Sequence, residues 1–296
     1  MNQPKTALVL SGGGSLGAVQ VGMLYALTRA GLHFDMVVGS SVGALNGAFY
    51  AANPTLQGVE DLAALWKSLR KQDIFPISWM TSLRALLTHR DYLVEATALR
   101  ALIRRSLRIR DFGEARTPLH VIATDALSGE EVIMSSGPLE DALLASTAIP
   151  VVFPHVVIEG RHLVDGGIAN NTPIACAVRL GAERVIVLPT GVPCDAPAPP
   201  KGMAAKAMHS LNLISMRQLD RDIERYSEHA AITIVDPLCP IDVSVFNFSE
   251  TENLMKRTAN QAWSWVQNGG LDRPGPLHLP IAHNHHSDSE LWCGTQ

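Results

Sequence analysis

Five residues constrain this chain more than any others: Gly39-Ser40-Ser41-Val42-Gly43, a G-x-S-x-G sequence between a short aliphatic run and a helical pattern. At a strand-to-helix junction this is a nucleophile elbow, in which the flanking glycines let the chain turn sharply and present Ser41 at the carboxyl edge of a sheet. The next N–H, on Val42, points the same way. A similar junction precedes it. Thr6 to Ser11 reads as a buried strand, and Ser15 to Ala30 as a helix, with Leu16, Val19, Met23, Leu24 and Leu27 at helical spacing and Gly31 suited to the C′ position. Met36 to Gly39 is the second strand and Val42 to Ala52 the second helix. Strand, helix, strand, helix in such a short stretch is the βαβ signature of a mostly parallel sheet covered by helices.

Between the first strand and helix lies Ser11-Gly12-Gly13-Gly14-Ser15-Leu16-Gly17. Taken as Gly12-x-Gly14-x-x-Gly17 it matches a dinucleotide-binding fingerprint. Such a loop offers backbone N–H groups and a helix N-terminus to any negative charge, a pyrophosphate or the oxyanion of acyl transfer. A dinucleotide fold wants an acid at the end of the second strand to hold a ribose. The chain has Ser40-Ser41 there, and Asp35 precedes the strand. The pair of junctions therefore favours acyl chemistry over a nucleotide-binding oxidoreductase.

A serine hydroxyl needs a base. The late histidines, His209, His229, His278, His283, His285 and His286, have no motif around them and read as solvated. A metal reading of the His283–His286 run lacks a partner cluster of defined spacing. Leu163-Val164-Asp165-Gly166-Gly167 offers a better base: a carboxylate on a sharp turn, where a second backbone can approach closely. A lone Asp on a turn is more often a structural acceptor.

From Glu60 to Arg116 the chain changes character, with eleven Lys/Arg against seven Asp/Glu, and Pro76 breaking the helical pattern. This is read as an inserted helical cap. Its apolar residues Trp79, Met80, Leu83, Leu86 and Leu87 lie beside Arg84, His89 and Arg90, and a basic stretch runs from Arg100 to Arg110. That mixture fits either an anionic membrane surface or a core-facing helix with a charged outer face. Leu119 to Thr124 returns as a core strand, with hairpins turning at Ser128-Gly129 and Glu159-Gly160 around a helix from Leu139 to Ser146. Ala182 to Pro189 is a buried strand. Pro193 to Pro200 is a loop, Met203 to Glu228 a long helix, Ala231 to Val235 a strand and Glu250 to Asn268 a final helix.

With 47% hydrophobic and 18% charged residues, the 296-residue chain has enough apolar content for a large core. A net charge of −4 provides no global field for nucleic acid. Every apolar run is interrupted well short of a membrane span, so a soluble, cytoplasmic protein is expected. The four cysteines, Cys176, Cys194, Cys239 and Cys293, are widely spaced without CxxC, and point to neither a zinc site nor a disulfide framework.

Four ordered blocks carry a resemblance. Gly12–Gly17, Gly39–Gly43, Ala145-Ser146-Thr147-Ala148-Ile149-Pro150 with Phe153-Pro154, and Asp165-Gly166-Gly167 with Asn170-Asn171-Thr172-Pro173 resemble the bacterial patatin-like phospholipases over roughly residues 5 to 190. The resemblance implies a three-layer α/β/α sandwich, its mostly parallel central sheet carrying the helical cap at about 60–116. It implies one hydrolase domain over 5–280 and a flexible tail at 281–296. It further implies a Ser-Asp dyad without histidine, Ser41 as nucleophile and Asp165 as general base. The oxyanion hole would comprise Gly12, Gly13, Gly14 and Val42; Gly17, Gly39, Gly43, Gly166 and Gly167 complete the motifs. Lipid or other acyl esters are the implied substrates, with no metal or organic cofactor, and peripheral membrane contact is expected through the cap. Leu16 stands where the family usually carries Arg or Lys. A catalytically weak lipid-binding module on the same fold is the alternative.

Overall fold

The computed structural model describes residues 4–74, 91–191, 202–239, 241 and 243–272. Strands β1 (Thr6–Leu10) and β2 (Met36–Ser40) alternate with helices α1 (Gly17–Arg29) and α2 (Val42–Ala52), as the first fifty residues predict. Helices α3 (Leu56–Ser68), α4 (Lys71–Ile74) and α5 (Thr97–Ser106) follow. Next come β3 (Leu119–Asp125), β4 (Glu131–Met134), α6 (Leu139–Ser146), β5 (Val156–Ile158) and β6 (Arg161–Asp165). The chain continues through α7 (Gly167–Asn170), α8 (Ile174–Arg179), β7 (Arg184–Leu188), α9 (Met203–Tyr226), β8 (Ala231–Ile234) and α10 (Thr251–Gln267). The two short helices α7 and α8 have no clear periodic signal in the sequence.

The sheet runs β5-β6-β3-β2-β1-β7-β8, with β4 paired to β3. Strands β3, β2, β1, β7 and β8 are parallel, and β4, β5 and β6 extend the sheet antiparallel. Strand β1 explains the layering. Its Leu8 and Leu10 enter one core with residues of α1, α2, α3, α5 and α10, while Ala7 and Val9 enter a second core with α8 and the C-terminal half of α9. Alternate side chains of a strand point to opposite faces, so a β1 buried on both faces sits centrally between helical layers.

The segment expected to form a cap contributes Leu62, Trp66, Leu99, Leu102 and Ile103 to the first core. Its basic stretch is largely engaged at the surface. Arg100 and Arg104 both pair with Glu140, Arg100 also pairs with Asp141, and Arg108 lies 3.7 Å from Asp61. The Arg110 guanidinium donates to the carbonyls of Leu107 and Arg104. The Trp79–Leu87 cluster and the histidines of the tail lie outside the described residues. The cysteine expectation needs correction: Cys239 is disulfide-bonded, whereas Cys176 is a buried free thiol. Spacing along the chain carries no information about pairing in the fold.

Candidate active site

Strand β3 is the template on which the site is assembled. Its residues Leu119 to Ile122 pair with β2, ending at Ser40 opposite Ile122. From Ala123 onward the partner is β6, beginning with Asp165 opposite Ala123. Strand β4 pairs with Val121–Thr124 of the same strand and must take the other edge, because a strand has only two. So β6 occupies the edge that β2 vacates. One runs parallel and the other antiparallel to β3, and their carboxyl ends meet head to head. Ser41 follows one end and Asp165 closes the other. The Ser41 hydroxyl donates to Asp165 Oδ2 at 2.7 Å, across 124 residues of sequence.

Ser41 has φ 52° and ψ −125°, in the left-handed half of backbone space that a residue with a side chain rarely occupies. The surroundings hold it there. Helix α2 passes so close to β1 that a Cβ on Gly43 would collide with the Leu10 carbonyl. The Ser41 N–H donates to Ser146 Oγ at 2.9 Å, and that hydroxyl donates to the Ile122 carbonyl at 2.5 Å. Ser146 thus ties α6, β3 and the elbow together. Its block is one of the four that carry the family resemblance, but a serine at a helix end carries no signal of this role.

Asp165 is held as firmly. The Gly167 N–H donates to its Oδ1 at 2.8 Å, and the Thr124 hydroxyl to its carbonyl at 2.8 Å. At Gly166 a side chain would run into the Ile122 carbonyl and Ser40 Oγ, which explains the glycine after the carboxylate. Asp165 is 7% exposed and Ser41 8%. Burial pushes the Asp165 carboxyl up to about 6, against the opposing pull of the Ser41 hydroxyl and the Gly167 N–H.

The glycine loop lies against the same elbow, with Gly12 close to Ser41 Cβ. Its Gly12 N–H is engaged by the Asn171 carbonyl at 3.0 Å, and Thr190 Oγ1 donates to the Gly12 carbonyl at 2.5 Å. The Ser15 N–H donates to the Val245 carbonyl at 2.8 Å. Among the described residues no acceptor meets the N–H groups of Gly13, Gly14 or Val42. Leu16 packs against the first core instead of offering a charge. Asp35, the acid that precedes β2, accepts from the Thr6 N–H at 2.7 Å, at the opposite end of the sheet from the glycine loop.

An apolar pocket opens beside Ser41, lined among others by Leu45, Phe49, Trp66, Leu102, Ile103 and Phe248. Trp66 and Phe248 stack with centroids 6.2 Å apart. A buried polar chain fixes this wall. Trp66 Nε1 donates to Asn46 Oδ1, Asn46 Nδ2 to the Gly17 carbonyl and Gln20 Oε1, and Gln20 Nε2 to the carbonyls of Ser11 and Leu188. The glycine loop, α2 and the pocket wall are therefore coupled. Composition shows none of this network. Among the described residues no group of three or more His, Cys, Asp or Glu could hold a metal ion, and no helix is long and apolar enough to cross a membrane.

Comparison with known proteins bears on the family and the fold. The model of the patatin-like phospholipase family matches residues 8–178. An uncharacterized NTE family protein of Mycobacterium tuberculosis is 32% identical over 189 residues, 63% of this chain and 49% of that protein. A patatin-like phospholipase domain-containing protein of Caenorhabditis elegans is 34% identical over 62% of this chain, but only 13% of its own length. Human GIVD cytosolic phospholipase A2 shares the fold with a TM-score of 0.53 and 10% identity, over 90% of this chain and 62% of that one. The chain thus spans half or less of the curated relatives it matches, and those relatives include animal as well as bacterial proteins. With the family model covering more than half of its length, this chain belongs to the patatin-like phospholipase family.

Proposed function

We propose that the protein is a serine acyl-ester hydrolase acting on lipids, of phospholipase A, lysophospholipase or esterase type, working through Ser41 and Asp165. The observation that carries this reading is the 2.7 Å Ser41–Asp165 hydrogen bond at the head of an apolar pocket. Ser41 Oγ attacks the ester carbonyl as Asp165 takes its proton. The carboxylate's raised value of about 6 makes it a stronger base than an exposed aspartate while leaving it largely ionised at neutral pH. Negative charge develops on the carbonyl oxygen beside the unengaged N–H groups of Gly13, Gly14 and Val42, the donors left for an oxyanion hole once Gly12 is occupied. The proton held by Asp165 passes to the departing alcohol, leaving an acyl group on Ser41. Asp165 then takes a proton from a water whose oxygen attacks the acyl carbon, and passes it to Ser41 Oγ as the bond between Ser41 and the acyl group breaks and the acid leaves.

The pocket gives the acyl chain an apolar place to lie, and family membership supports a lipid ester as substrate. Neither dyad residue calls for a cofactor. The test is hydrolysis of a short p-nitrophenyl ester. Wild type is expected to turn over, with Ser41→Ala and Asp165→Asn each slower by about a thousandfold or more. Turnover that survives Ser41→Ala would contradict the mechanism, and a folded wild type inert toward all acyl esters would favour the lipid-binding alternative.

A further inference from the structure

We infer that Asn171 positions the water that frees the acyl-enzyme, its side-chain carbonyl accepting the hydrogen that Asp165 does not take. The inference deepens the proposed hydrolase reading and rests on it. Two motif glycines point to this side chain. Neither Gly12 nor Gly167 has a left-handed backbone, so conformation does not require glycine at either position. Space does. A Cβ on Gly12 would lie 2.4 Å from Asn171 Oδ1, and one on Gly167 would lie 2.8 Å from it. The same two positions border the dyad, the first 3.2 Å from Ser41 Cβ and the second 3.0 Å from Asp165 Oδ1. One carboxamide oxygen therefore fills the gap between the glycine loop and the Asp-Gly-Gly turn, beside both reacting side chains.

The backbone of Asn171 is already engaged, since its carbonyl accepts the Gly12 N–H. Its side chain is not. Partly buried at the end of α7, the carboxamide has no hydrogen-bond partner among the described residues. Such an amide beside a reaction centre is a ready acceptor for water. The apolar pocket fixes which water. Ser41 and Val42 line it, whereas Gly12, Asp165, Gly167 and Asn171 do not. With the acyl chain in that pocket, the departing alcohol and the arriving water share the other side of Ser41, because Asp165 gives a proton to the first and takes one from the second. A departing alkoxide brings no hydrogen; water brings two. As the water oxygen attacks the acyl carbon, one hydrogen goes to Asp165 and on to Ser41 Oγ. The other donates to Asn171 Oδ1 and leaves with the acid. An alcohol acceptor has a single hydroxyl hydrogen, which Asp165 takes. Asn171 therefore favours deacylation by water over transfer of the acyl group to an alcohol.

The test is pre-steady-state hydrolysis of p-nitrophenyl butyrate by the full chain as wild type, Asn171→Ala and Asn171→Asp, with methanol as a competing acceptor. p-Nitrophenolate leaves without needing a proton, so its burst reads acylation of Ser41. Asn171→Ala is expected to keep a stoichiometric burst while its steady-state kcat falls about tenfold, KM falling in step so that kcat/KM changes little. The share of acyl groups captured as methyl ester is expected to rise several-fold. Asn171→Asp keeps the acceptor oxygen and is expected to recover turnover at pH 8. Its rise in kcat/KM is displaced above about 6 by the second carboxylate beside Asp165. The inference is overturned if Asn171→Ala turns over as wild type does, or if its burst rate and kcat/KM fall with kcat, the mark of a strut that only supports the Gly12 loop. It is overturned equally if the methyl ester share stays at the wild-type value, or if Asn171→Asp is slow at pH 8 or shows no displacement. A folded wild type with neither burst nor turnover would sink the hydrolase reading, and this one with it.

Discussion

At the scale of single residues, the pair Ser41 and Asp165 has a definite pH signature. The folded carboxyl lies near 6, above the ordinary 3.8, because burial disfavours its charge. Only the ionised form can accept the serine proton, so kcat/KM is expected to rise with pH through about 6 and then level off. A profile flat from pH 5 to 8 would remove Asp165 as the base. Stability runs the other way. A raised folded value means that the stabilisation is fully present below 3.8 and is lost as pH rises through about 6. The distance from 3.8 to about 6 corresponds to about 3 kcal/mol, so Asp165→Asn is expected to be inactive yet more heat-stable than wild type at pH 8, the difference vanishing near pH 3. Thermal melts at the two pH values check it.

Between elements, the decisive feature is the way β3 passes from β2 to β6 between Ile122 and Ala123, with Ser146 clamping the junction. Ser146→Ala leaves the buried Ser41 N–H and the Ile122 carbonyl without this partner. A loss of about 1–3 kcal/mol in denaturant unfolding is expected, with a fall in kcat larger than the change in KM because the elbow shifts. The flanking glycines and the Asp-Gly-Gly turn were legible in the sequence because glycine itself marks where a chain turns sharply or another segment comes close, although the crowding carbonyls at Gly43 and Gly166, those of Leu10 and Ile122, lie far off along the chain. The alternation of β1, α1, β2 and α2 was legible because periodicity is a local signal. What joins them was not. The order of β3's partners, the Asn171 carbonyl on the Gly12 N–H and the Gln20–Asn46–Trp66 chain depend on residues far apart in sequence. The family resemblance, rather than spacing, brought Ser41 and Asp165 together before the structure did.

For the molecule as a whole, two apolar cores on either face of one sheet leave the pocket on the side of α2, α3 and α5, where side chains from the basic segment complete it. Leu102→Trp is expected to fill it. Turnover of a p-nitrophenyl ester of a long acyl chain should fall at least tenfold while the acetate ester is little affected, which a chain-length series of kcat/KM would show; an equal loss across the series would mean that the acyl chain lies elsewhere. The whole mechanism stands on Ser41 as the nucleophile. Reaction of the folded wild type with a fluorophosphonate, followed by peptide mass spectrometry, tests it directly. One adduct on the peptide carrying Ser41, absent from Ser41→Ala and much slower to form in Asp165→Asn, is the predicted result. An adduct on another residue, or none, would contradict it.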